Sequence, residues 1–141
     1  MVHAGINHLA VLIAAVGSWL VGAVWYSILG KAWGAALEGV GGNGASGSTP
    51  RSALLFITAF VADLVISYIL AGAIGHLGPG QVTLKNGVIS AAILWLGFVA
   101  TTVTVNNAFA GRKPSLTAID AGHWLLAMLC AGAIIGAMGT A

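Results

Sequence analysis

The stretch ALLFITAFVADLVISYILAGAIG, residues 53–75, decides how this chain folds. It carries one charged side chain, Asp63, and is otherwise apolar or small. About 20 helical residues cross the hydrocarbon core of a bilayer, so the stretch reads as a transmembrane helix. Three more segments of the same kind lie at 6–29, 87–109 and 116–138. Their Val, Ile and Thr content does not argue for strands. In lipid only helices and closed barrels satisfy the backbone, and four segments cannot close a barrel. The expectation is an all-α integral membrane bundle of four transmembrane helices, forming a single domain over residues 1–141.

Composition agrees. Of 141 residues, 59% are hydrophobic and 21 are glycine, against five Lys or Arg and three Asp or Glu. A soluble domain of this length carries about 35 charged residues. Soluble, disordered, coiled-coil and nucleic-acid-binding readings are therefore excluded. The net charge of +2 belongs to a few loop residues. Cys130 is the single cysteine, so one chain can form neither a disulfide nor a thiolate metal cluster. No secretory signal peptide is expected, because no Lys or Arg precedes the first apolar run and that run is too long.

The connections differ in kind. Residues 31–40 suggest a short interfacial helix, with Trp33, Leu37 and Val40 on one face and Lys31 and Glu38 on the other. Residues 41–48 are rich in Gly and Ser and predict a flexible loop. Thr49-Pro50 reads as an N-cap followed by Pro at the first helical position. Gly78-Pro79-Gly80 predicts a turn, and Gly111-Arg112-Lys113-Pro114 is short enough to make spans three and four antiparallel neighbours. Lys31, Arg51, Arg112 and Lys113 lie on one side of the membrane and Lys85 on the other. That bias places both termini outside the cytoplasm. Ala-Ala and Trp-Leu pairs recur in spans one and three, and Ala-Gly-Ala-Ile in spans two and four. Two repeated helical hairpins would produce this pattern; so would chance among Ala/Gly-rich helices.

Polar groups within spans are expensive and therefore informative. Asp63 lies twelve residues beyond Arg51, roughly 18 Å along a helix, near the midplane. It falls on a stripe of small residues, Ala59, Ser67, Ala71 and Gly75, and so should face a helix contact. Either it carries a proton or touches a substrate, or it makes one interhelical hydrogen bond; the second reading is favoured. Asp120 and His123, three apart, share a face of span four with Ala127 and Cys130. They could relay protons or form half a metal site, though a metal wants three or four ligands. The favoured reading again is structural, with Asp120 near the positive helix N-terminus and His123 hydrogen-bonded beside it. Asn106 and Asn107 approach the same level in span three. These five residues form the candidate intramembrane polar cluster. Ala14, Ser18 and Gly22 make a second small stripe, and Trp25-Tyr26-Ser27 reads as an interfacial anchor. Gly122, Gly132 and Gly136 lie on the far side of span four, which should thus meet protein on both sides. Candidate helix contacts are Ser18, Gly22, Ser67, Gly132 and Gly136, the last two proposed to meet a second chain.

Together the residues resemble a family. Asn7-x-Leu9-Ala10-Val11-Leu12, Gly22-Ala23-Val24-Trp25-Tyr26-Ser27 and Gly30-Lys31-Ala32-Trp33 resemble the opening of the small bacterial membrane proteins grouped as domain of unknown function 1761. Trp95-Leu96-Gly97-Phe98, Asn106-x-x-Phe109-x-Gly111, Ile119-Asp120-Ala121-Gly122 and Gly132-Ala133-Ile134 are similar to its C-terminal half. The resemblance covers nearly the whole chain and implies four membrane helices in the bacterial inner membrane, with no established activity to carry over. Where the family has Pro and Phe-Gly after Trp-Tyr-Ser, this chain has Ile28-Leu29-Gly30, so the exit from span one should be less kinked.

No phosphate loop, zinc motif, Cys-x-x-Cys or nucleophile elbow is present. The expected role is non-enzymatic: a structural or accessory subunit that assembles with itself or a larger membrane complex, with no cofactor and no nucleic acid. The alternative is a small channel, transporter or ligand-binding bundle using the polar cluster. Convergence of those residues on a cavity would favour the alternative; dry pairing would favour the first.

Overall fold

The computed structural model describes residues 4–37 and 49–141, with the backbone alone at 49–52. Every regular element among them is helical, and four helices are long and apolar enough to cross a membrane. The first spans His8–Leu37, with Asn7 as its cap: the Asn7 side-chain oxygen accepts from the Ala10 amide at 3.1 Å. The second, Thr49–Gly75, starts at the predicted Thr-Pro step. The third, Leu84–Phe109, is capped by Thr83, whose side chain accepts from the Asn86 amide. The fourth, Pro114–Met138, places Pro114 at the start, where its missing N–H costs nothing. Gly78 and Gly111 turn the chain at φ 105° and 64°, a region that side chains with a Cβ avoid.

Two features depart from the sequence expectation. Residues 31–37 are not a separate interfacial helix but a continuation of the first helix, which runs unbroken through Ile28-Leu29-Gly30. Contacts at the start of the fourth helix hold this extension: Trp33 Nε1 donates to Asp120 at 3.1 Å, and Nζ of Lys113, the residue before the helix, donates to the Ala35 carbonyl at 3.0 Å. The remainder of the expected interfacial helix, 38–40, and the Gly/Ser loop 41–48 lie outside the described residues. The third helix also widens into a π-helical segment at Trp95–Ala100, between α-helical parts Leu84–Leu94 and Thr101–Phe109.

The fourth helix is the axis of the molecule. It packs along the first on one side and along the third on the other, and it also touches the second. The second helix adjoins the first extensively and the third only slightly, so packing is not shared out as between two like hairpins.

The core occupies the half nearer the termini. Val11 and Ala14, Leu70 and Ile74, Ala91, and Met128, Ala131 and Ile135 meet there from all four helices. The Ala4 amide donates to the Gly75 carbonyl and ties the chain start to the end of the second helix. Toward the other end the second helix withdraws. Residues 53–59 are all exposed, whereas Asp63, Ser67, Leu70, Ala71 and Ile74 are buried. A cavity opens in the gap.

Candidate functional site

The small stripe of the first helix lets the fourth approach closely. Ser18 Oγ donates to the Ala127 carbonyl at 2.9 Å, and a Cβ at Gly17 would lie 3.3 Å from the Cys130 sulfur. A Cβ at Gly22 would lie 2.8 Å from His123 Nε2, so only glycine leaves room for that ring. One turn further along, Trp25 Nε1 donates to the Ile119 carbonyl at 3.0 Å, and Tyr26 donates to Asp120 Oδ1 at 2.8 Å. The face predicted for Asp120, His123, Ala127 and Cys130 is therefore the face that meets the first helix.

The cavity measures about 410 Å³ and lies among the first, second and fourth helices. Typical small-molecule sites span about 300–1,000 Å³. The first helix lines it with Trp19, Gly22, Ala23, Tyr26 and Ser27; the second with Phe56, Ala59 and Asp63; the fourth with His123 and Trp124. Its rings touch one another. Trp19 meets Phe56 edge-on at 6.2 Å, Tyr26 lies 5.1 Å from His123, and His123 lies 4.9 Å from Trp124. Trp19 Nε1 also donates to the Phe56 carbonyl at 3.3 Å, pinning the mouth of the gap.

Asp63 and His123 in this wall leave polar atoms without a partner among the described residues. Asp63 is 4% exposed and forms no hydrogen bond among the described residues. His123 is 9% exposed, and its Nδ1 is buried without a partner. Leaving a buried polar group unsatisfied costs about 1–3 kcal/mol, and a sequence of this composition could have placed Leu at either position. Ser67, one turn deeper than Asp63, likewise has an unpartnered Oγ.

The predicted polar cluster thus divides. Asp63 and His123 meet at the cavity. Asp120 sits beyond them, held by Tyr26 and Trp33, and meets the cavity wall through Tyr26. Asn107 pairs off, its amide donating to Thr117 Oγ1 at 3.1 Å, and Asn106 is exposed on the third helix, outside the cluster. The π segment accounts for part of this separation. At its start Trp95 meets the fourth helix, where Nε1 donates to the Ala121 carbonyl at 2.9 Å, while none of residues 101–109 beyond it is buried. Uniform α-helical spacing does not anticipate that change of register. No group of three His, Cys, Asp or Glu side chains among the described residues is placed to hold a metal ion.

The glycines of the fourth helix require a correction. A Cβ at Gly132 would run into the Gly87 carbonyl oxygen, and one at Gly136 into the Thr83 carbonyl oxygen. Gly87 is equally closed by the Gly132 carbonyl. The face proposed for a second chain is filled by this chain's own third helix, because both helices carry glycine at the crossing. Gly122 lies not on the seam with the third helix but against the first: its neighbour is the Trp25 ring, 3.0 Å from a built Cβ.

Sequence reasoning missed the aromatic wall. Trp19 and Tyr26, seven residues apart, share a helix face with Gly22 and Ala23, a pattern that signals rings around a gap. Reading Tyr26 as an interfacial anchor concealed it.

No curated protein and no solved structure matches the chain. The family described as "Protein of unknown function (DUF1761)" matches residues 9–136, nearly the full length. The resemblance seen in the Asn7–Trp33 and Trp95–Ile134 motifs therefore holds, and this four-helix chain belongs to the DUF1761 family.

Proposed function

We propose that the protein is a non-enzymatic ligand-binding membrane protein that takes a small, largely apolar molecule into the cavity between its first, second and fourth helices. One observation carries this reading: Asp63 and His123, on different helices, line the same cavity, and Asp63 makes no hydrogen bond among the described residues. An accessory subunit built only for packing would gain stability by replacing both with apolar residues. The glycine face that favoured assembly with a second chain is already occupied. Both termini are assigned to the non-cytoplasmic side, because Lys31, Arg51, Arg112 and Lys113 outweigh Lys85. The cavity then opens toward the cytoplasmic half.

The test is equilibrium binding of small aromatic probes to the purified chain in a neutral detergent. A saturable site, one per chain, is expected in the natural protein. It should vanish in Ala59→Phe, which fills the cavity from an exposed position and leaves the core of the other half untouched. Absence of saturable binding, or binding unaffected by Ala59→Phe, would overturn the reading.

A further inference from the structure

We infer that the cavity is selective for organic ammonium ions, a deduction that rests on its being a ligand site. Trp19, Tyr26, Phe56 and Trp124 bring four aromatic rings to its wall from three helices. The faces of such rings carry negative potential, attract cations, and form the cages that recognise alkylated ammonium groups. Among the described residues, Asp63 is the only acidic side chain lining the cavity, and no Lys or Arg lines it. A carboxylate buried without a partner is strongly disfavoured, and a bound cation removes that penalty by pairing with it. A neutral ligand gives an ionised Asp63 no charge partner, and an anion would be repelled by that carboxylate. His123 completes the wall, its ring set between those of Tyr26 and Trp124. The fitting ligand therefore has one positive charge at nitrogen and an apolar body. Its source is either a free compound or the headgroup of a choline lipid, since the recognised chemistry is the same.

Equilibrium dialysis with benzyltrimethylammonium and neopentylbenzene, which differ chiefly in nitrogen for carbon, isolates the charge. The full chain in maltoside should bind the ammonium at least about tenfold more tightly than the hydrocarbon. Asp63→Asn, which keeps the volume and a polar end, should reduce that preference to about twofold or less, and Trp124→Leu should weaken ammonium binding about fivefold. The comparison of the two probes on the natural sequence needs no variant to fold. Equal affinity for both probes would overturn the cation assignment and leave the ligand site standing; no saturable binding of either would remove both. With the preference established, phosphatidylcholine vesicles either compete for the site, which identifies a lipid headgroup, or fail to compete where phosphatidylglycerol vesicles also fail, which identifies a free ammonium compound.

Discussion

Two seams run along the fourth helix, and they are built on opposite plans. Toward the third helix, Gly87, Gly132 and Gly136 bring backbone against backbone, with the Ala91 methyl beside them. Toward the first and second helices, small residues allow the approach only as far as Gly22; beyond it rings and polar groups replace them, and the second helix moves away. In lipid, apolar side chains gain nothing by leaving the acyl tails, so close contact is the main force holding helices together. The glycine seam maximises that force. The cavity forgoes it, which makes the closed seam the support on which an open region can stand.

Breaking the closed seam should have the largest effect. Gly132→Leu puts a side chain where the Gly87 backbone lies, and no flexible group can yield; a loss of roughly 3 kcal/mol or more is expected. The chain itself should fail to accumulate in the membrane, as read by immunoblot of a tagged protein. Dissociation of an assembly of intact chains would instead place this face at an interface. Second in size is Asp63→Leu. If the cavity is open at the expense of stability, removing its unpartnered carboxyl should stabilise the chain by about 1–3 kcal/mol in a detergent-unfolding titration while abolishing ligand binding. A destabilised Asp63→Leu would show that Asp63 serves packing, as the sequence alone suggests.

The link between the regions offers a finer test. Tyr26→Phe removes a hydrogen bond to Asp120 but keeps the ring at the cavity, so a loss of about 1 kcal/mol is expected in the same titration. The smallest contrast lies in the paired asparagines. Asn107→Ala should cost about 0.6 kcal/mol through its bond to Thr117, whereas Asn106→Ala, exposed and outside the cluster, should change stability by less than about 0.3 kcal/mol. Equal effects would mean that Asn106 has a contact of its own.

What the sequence disclosed follows the physics of each signal. Long apolar runs specify membrane helices whatever surrounds them, so all four were legible, and Asp63 stood out because charge is rare there. The small stripe Ala14, Ser18 and Gly22 pointed correctly to a close contact. The identity of the partner was not legible: Gly132 and Gly136 announce close approach, but nothing in the spacing distinguishes the chain's own third helix from another molecule. Nor does a run of aromatic residues reveal whether Trp19 and Tyr26 anchor at an interface or surround a gap. That depends on where the second helix goes, a property of the whole packing.

The π segment at Trp95–Ala100 has a consequence for how the chain tolerates changes in length. A π turn is an α-helix with one residue to spare, its hydrogen bonds closing over five residues instead of four. Removing a residue from a regular helix rotates everything downstream by about 100° and scrambles the faces it presents. Here a deletion within the wide turn can be absorbed by tightening it, leaving Gly87 and Ala91 on one side and Asn107 on the other in their present phase. The third helix thus holds slack at mid-membrane, where its neighbours have none.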